Sequence, residues 1–125
     1  MTDTSLLIVD DDRSILTAFR MVFEGNYTVI MAENGSDALR LLREKSPDAV
    51  IIDIGLPDMS GIDLLARIKS LAPETVVIVM TAAEETEMIN RARELGAVDY
   101  LVKPIDARTL KTVVQNAVQR KQMSL

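Results

Sequence analysis

The sequence predicts an α/β fold, a doubly wound five-stranded parallel sheet with five helices. Three observations predict it: five apolar runs of strand length, amphipathic stretches at helical spacing between them, and strict alternation of the two. Alternation of this kind joins parallel strands through right-handed crossovers.

Leu6 to Val9 form the first apolar run, and Ile15, Phe19, Val22 and Phe23 then repeat at helical spacing. Tyr27 to Met31 make the second run, followed by Ala38, Leu39 and Leu42 on a helix that Ser36 is placed to cap. Ala49 to Ile54 come next, then a helix behind Ser60 with Leu64, Leu65 and Ile68 on its apolar face. Val76 to Met80 make the fourth run; Ile89, Ala92 and Leu95 follow, and Gly96 stands as a helix stop. Tyr100 to Val102 are the fifth strand. Behind the cap residue Asp106, Leu110, Val113, Val114, Ala117 and Val118 give the last helix a broad stripe, followed by a polar tail, Gln119 to Leu125. The first, third and fourth runs are nearly continuous in Leu, Ile and Val, as strands covered on both faces are. The second reads as an edge strand. No repeat or internal linker interrupts the chain, so residues 1–125 are expected to form a single domain.

Composition narrows the function. The chain is 48% hydrophobic and 26% charged, a soluble globular balance, with no apolar run of membrane-spanning length and no signal-peptide pattern. The expected compartment is the cytoplasm. Cysteine and histidine are both absent, which removes thiol chemistry, the commonest general base and the commonest zinc ligand. A net charge of -5 argues against direct nucleic-acid binding.

In an open α/β sheet, ligands bind at the carboxyl ends of the strands. Asp10, Asp11 and Asp12 follow the first strand, Asp53 the third, Thr81 the fourth and Lys103 the fifth. Two carboxylates about 5 Å apart repel by roughly 3 kcal/mol at an effective dielectric of 20, a cost that a hard divalent cation removes. Mg²⁺ suits such an all-oxygen site. A carboxylate nucleophile, a metal, a lysine and a hydroxyl are the parts for phosphoryl transfer, where positioning and charge neutralisation carry most of the catalysis. Taken singly, Asp12 reads as a turn and helix cap, Thr81 as a strand former and Lys103 as a surface charge. Asp53 is harder to dismiss, because it ends a wholly apolar run where a buried acid needs a purpose.

Four stretches, in order and at domain-wide spacing, carry a resemblance. They are Leu6 to Asp12, Asp53-Ile54-Gly55-Leu56-Pro57-Asp58-Met59-Ser60-Gly61, Val79-Met80-Thr81-Ala82, and Gly96 to Pro104. Over essentially its whole length the chain resembles the receiver domain of two-component response regulators. The resemblance implies the strand order 2-1-3-4-5 and a cis Lys103-Pro104 peptide. It implies that Asp53 is the phosphoacceptor, that Asp10 and Asp11 with the Gly55 carbonyl hold Mg²⁺, and that Thr81 and Lys103 grip the phosphoryl oxygens. Tyr100 matches the aromatic that turns inward when the threonine moves. Gly55 and Ala83 are small where other receivers often carry larger polar side chains.

Such a domain catalyses only its own phosphorylation and dephosphorylation, and without histidine it takes its phosphoryl group from elsewhere. The implied partners are a sensor histidine kinase or a phosphotransfer protein, and an output domain or effector. Met88 and Ile89 among Glu84, Glu87, Arg91 and Glu94, with Arg108 and Lys111 on the last helix offering opposite charges, suit a phosphorylation-dependent homodimer or a docking surface. The rival is a haloacid-dehalogenase-type phosphatase with Asp10 as nucleophile and Asp12 completing its Asp-x-Asp. A nucleotide-binding module fails, because three acids stand where glycines should admit a pyrophosphate.

Overall fold

The computed structural model describes residues 4–82 and 84–123. Ala83, one of the two small rim residues noted above, lies outside them. Strands and helices alternate as β1 (Ser5–Val9), α1 (Arg13–Phe23), β2 (Thr28–Ala32), α2 (Gly35–Lys45), β3 (Ala49–Asp53), α3 (Gly61–Leu71), β4 (Val76–Thr81), α4 (Thr86–Glu94), β5 (Asp99–Val102) and α5 (Ala107–Met123). All strand pairs are parallel and their order is β2-β1-β3-β4-β5, as expected.

The period-2 geometry of a strand sorts the apolar runs onto two faces. Leu7, Val9, Val50, Ile52, Val77 and Val79 pack with Ala38, Leu39 and Leu42 of α2, Leu64, Leu65 and Ile68 of α3, and Ala92 of α4. Leu6, Ile8, Ala49, Ile51, Ile78 and Met80 pack on the other face with Leu16 and Phe23 of α1 and Leu110, Val114 and Val118 of α5. From Leu6 to Val9 and from Ala49 to Ile52, every side chain is fully buried. Each Leu, Ile or Val so buried contributes about 1.5–3 kcal/mol, so the central strands carry much of the hydrophobic stabilisation. Among the described residues, no helix is long and apolar enough to cross a membrane.

The caps show where local reading holds and where it slips. Ser60 caps α3 by accepting the Ile62 N–H, and Asp106 accepts the Thr109 N–H at the start of α5. Asp12 caps α1 through the Ser14 N–H. Gly96 closes α4 with a φ of 104°. Ser36, however, is not the cap of α2. Asn34, in extended backbone, accepts the Asp37 N–H at 2.8 Å, so the helix begins at Gly35 and Ser36 falls inside its first turn. The expected tail from Gln119 is also corrected, since α5 continues to Met123. Lys121 explains why: its Nζ lies 3.1 Å from Asp48 Oδ1, and Asp48 Oδ2 accepts the Ser5 N–H at 2.8 Å. That clasp ties the last turns of α5 to the end of the sheet remote from the strand carboxyl ends. Basic Arg120 and Lys121 also suit the negative end of the helix dipole.

Burial alone would raise the Asp48 pKa, but the Ser5 N–H and Lys121 outweigh it and hold the carboxyl below its usual range. A depressed folded-state value means stability that is present above the unfolded value, near 3.9, and is lost as pH falls through the folded one. Asp48→Asn should therefore cost about 0.5–1 kcal/mol at pH 7, the scale of a pair this exposed. In urea unfolding, the gap between wild type and variant should close below about pH 4, where wild-type Asp48 also takes up a proton.

Candidate functional site

The strand order places the site. The chain leaves β1 for β2 on one side and β3 on the other, so a crevice opens at their carboxyl ends. Val9 pairs with Ile52 and Asp53 with Met80, which brings Asp10 beside the end of β3. Thr81 pairs with Val102, so Lys103 emerges next to the end of β4, its N–H donating to the Thr81 carbonyl at 2.7 Å.

Asp10 is fully buried and Asp53 is 7% exposed. The Lys103 ammonium reaches both, with Nζ 3.0 Å from Asp10 Oδ2 and 3.0 Å from Asp53 Oδ1. The other Asp10 oxygen accepts the Asp12 N–H at 3.0 Å. Asp11 stands exposed at the mouth, and one carboxylate oxygen from each of Asp10, Asp11 and Asp53 lies within 4.8 Å of the others. Three hard oxygen donors converging on one point fit a small dication such as Mg²⁺.

Burial pushes the Asp10 carboxyl above its usual range, and the Asp53 charge adds to this against the Asp12 N–H and Lys103. Burial alone would lower Lys103, yet its hydrogen bonds and charge contacts with Asp10 and Asp53 raise it. These two directions oppose each other across one ion pair. The lysine governs, because an ammonium shared by two carboxylates keeps its proton.

The loop after Asp53 packs closely at its far end, where α3 begins. A Cβ on Gly61 would lie 2.6 Å from the Asp53 carbonyl oxygen and from Ile54 Cα, so glycine lets α3 start directly against the end of β3. The Gly61 N–H donates to the Ile54 carbonyl at 2.8 Å. At Gly55 a Cβ would sit 3.7 Å from Asp53 Oδ2, in ordinary contact, so the residue flanks the carboxylate without filling the space in front of it.

Asp10, Asp11, Asp53 and Lys103 thus converge, and Thr81 stands half-buried at the same rim. Asp12 does not join them, because its carboxylate is committed to capping α1. Tyr100 lies two residues below the rim, half-buried against the cluster formed with α2, α3 and α4. The cis Lys103-Pro104 peptide is present. Asp58 was given no role from the sequence. Its Oδ1 accepts the Gly35 N–H at 2.8 Å and its Oδ2 the Ser36 N–H at 3.0 Å, and these bonds hold its pKa below the usual range. An Asp after Pro57 reads as a turn residue, and nothing local signals a partner more than 20 residues away.

Known proteins agree with this geometry. The family model of the response regulator receiver domain matches residues 6–115. The sporulation initiation phosphotransferase F of Bacillus subtilis is 36% identical, covering 92% of this chain and 94% of its own. The transcriptional regulatory protein ZraR of Salmonella typhimurium is 39% identical over 90% of this chain, which spans about a quarter of ZraR (26%). A CheY-like receiver domain protein from Methanospirillum hungatei superposes with a TM-score of 0.96 at 27% identity, covering 99% of this chain and all of that one.

Lys103→Met should lower the stability of the metal-free protein by about 1–3 kcal/mol in urea unfolding, because two buried acids lose their shared donor. Mg²⁺ should then restore more stability to the variant than it adds to wild type, since it no longer meets a competing cation. Equal increments in both proteins would count against a shared-charge site.

Proposed function

The chain belongs to the response regulator receiver family, and from that premise we propose that Asp53 is its phosphoacceptor, working with Mg²⁺, Lys103 and Thr81. Receiver domains act in two-component signalling with histidine kinases or phosphotransfer proteins. The observation that carries the assignment is the joint placement of Asp53 within 3.0 Å of Lys103 Nζ and within reach of the Asp10 and Asp11 carboxylates.

In the transfer, an Asp53 carboxylate oxygen forms the new P–O bond while the bond from phosphorus to the donor's histidine nitrogen breaks. The departing imidazole nitrogen keeps the electron pair of the broken bond and takes a proton from solvent water. Asp53 needs no base, since an ionised carboxylate is already a nucleophile. Lys103, held protonated by its two acids, offers positive charge to the incoming phosphoryl oxygens, and the Thr81 hydroxyl offers a hydrogen bond. Asp10, Asp11, Asp53 and the Gly55 carbonyl would hold Mg²⁺, which supplies further charge neutralisation. The open rim at Gly55 leaves room for the donor group. On this reading the domain catalyses only its own phosphorylation and dephosphorylation, in the cytoplasm.

The phosphatase alternative with Asp10 as nucleophile is not favoured. Its second acid, Asp12, caps α1, and Asp10 is fully buried beneath Lys103. The output we assign to the surface of α4, β5 and α5, toward an output domain, an effector or a second copy. On α4 Met88 and Ile89 are half-buried among exposed Glu84, Glu87, Arg91 and Glu94, and on α5 Arg108 and Lys111 are exposed. Mixed apolar and complementary-charge faces support symmetric pairing.

Two experiments test these assignments. With Mg²⁺ and acetyl phosphate, wild type should take up one phosphoryl group per chain and Asp53→Asn none, read by intact mass at neutral pH. Uptake by the variant at the wild-type rate would place the acceptor elsewhere. With beryllofluoride as phosphoryl mimic, light scattering should show wild type gaining mass while Thr81→Ala does not. Unchanged mass together with an unchanged Tyr100 signal in wild type would remove the dimer output.

A further inference from the structure

We propose that Asp58 is a positioning residue for the metal site: its carboxylate clasps the N-terminus of α2 and thereby holds the loop that carries Gly55. The proposal rests on the reading that Asp10, Asp11, Asp53 and the Gly55 carbonyl bind Mg²⁺.

The segment from Ile54 to Ser60 links the end of β3 to the start of α3. Backbone contacts secure its two ends: the Ile54 N–H donates to the Met80 carbonyl, and Gly61 packs on Asp53 and Ile54. Between them, Gly55 and Ser60 form an isolated bridge, which leaves the tip at Pro57, Asp58 and Met59 to be held from outside the loop. Asp58 supplies that hold with both carboxylate oxygens, at 2.8 Å and 3.0 Å from successive N–H groups of α2. Met59 adds a second contact at the same helix end, where a Cβ on Gly35 would come within 2.6 Å of its Cγ and Sδ.

The helix has a cap of its own. Asn34 already accepts the Asp37 N–H, so α2 gains only the satisfaction of two further orphan donors from Asp58. For the loop, by contrast, Asp58 is the charged anchor. It sits at the positive end of the helix dipole, which favours the carboxylate. Holding the tip fixes the path of the chain from Asp53 through Gly55, whose carbonyl must face the metal while Asp53 faces the phosphoryl donor. Supports of this kind, one step behind a ligand, set metal affinity through preorganisation rather than contact.

The test is made on the intact chain. In the metal-free protein, Asp58→Ala should speed hydrogen exchange at the Gly35 and Ser36 amides. It should raise the Mg²⁺ dissociation constant by roughly tenfold in calorimetric titration. Labelling by acetyl phosphate should slow at low Mg²⁺ and return to within about twofold of wild type at saturating Mg²⁺, because affinity rather than chemistry was lost. Asp58→Asn, which removes the charge and leaves one acceptor oxygen, should weaken Mg²⁺ binding in the same direction and serves alone if Asp58→Ala does not fold. Faster exchange with unchanged Mg²⁺ affinity would make the clasp merely structural and overturn the proposal, as would unchanged exchange. Wild type that binds no Mg²⁺ would overturn the functional reading and this inference with it. Normal wild-type binding matched by the variants would overturn this inference alone.

Discussion

One ammonium between two buried carboxylates is the constraint on which the rest of the molecule depends. Lys103 and Asp10 are 93 residues apart in the chain, and their 3.0 Å contact exists only if β1, β3, β4 and β5 all end at one level. Without the lysine, Asp10 and Asp53 would be like charges in a region that solvent barely reaches. With it, three acids still share a single lysine, and the excess of acidic oxygens suits a small dication such as Mg²⁺. On the proposed reading, a phosphoryl group on Asp53 would add negative charge again, so metal and phosphoryl would each favour the other. By linkage that coupling is reciprocal.

Such a rim needs a foundation that does not yield. The strands that bear Asp10 and Asp53 are buried along their lengths, and the layers of helices on both faces allow them little room to slide. A one-residue slip would send every side chain to the opposite face, exchanging the two cores. Register is therefore over-determined by the same residues that supply the hydrophobic stabilisation. Glycine contributes at one critical point, since Gly61 lets α3 begin flush against the strand end.

Much of this was legible in the chain itself. Continuous Leu, Ile and Val runs marked β1, β3 and β4, and the acids, threonine and lysine stood immediately after runs of that kind, where the strand-end rule locates ligands. What escaped was a local choice of backbone at one helix start, and contacts between distant parts of the chain. Ser36 has the chemistry of a cap, but Asn34 stood two residues earlier with equal chemistry, and only the backbone decides between them. The last turns of α5 read as a polar tail because their apolar stripe had ended; an ion pair with Asp48, 73 residues away, holds them instead. Asp58 was hidden for the same reason. A side chain whose partner is an N–H on a distant helix leaves no periodic trace.

The sheet also divides the molecule in a way that bears on communication. Tyr100 packs toward α2, α3 and α4, whereas its neighbour Leu101 packs toward α1 and α5. Adjacent residues of one strand thus address different compartments, with a wall of fully buried side chains between them. A residue change at Tyr100 therefore meets the layer that holds α4, and one at Leu101 meets the layer that holds α5. β5 is thus the seam at which the α4 layer and the α5 layer meet, and both helices flank the strand that Lys103 follows.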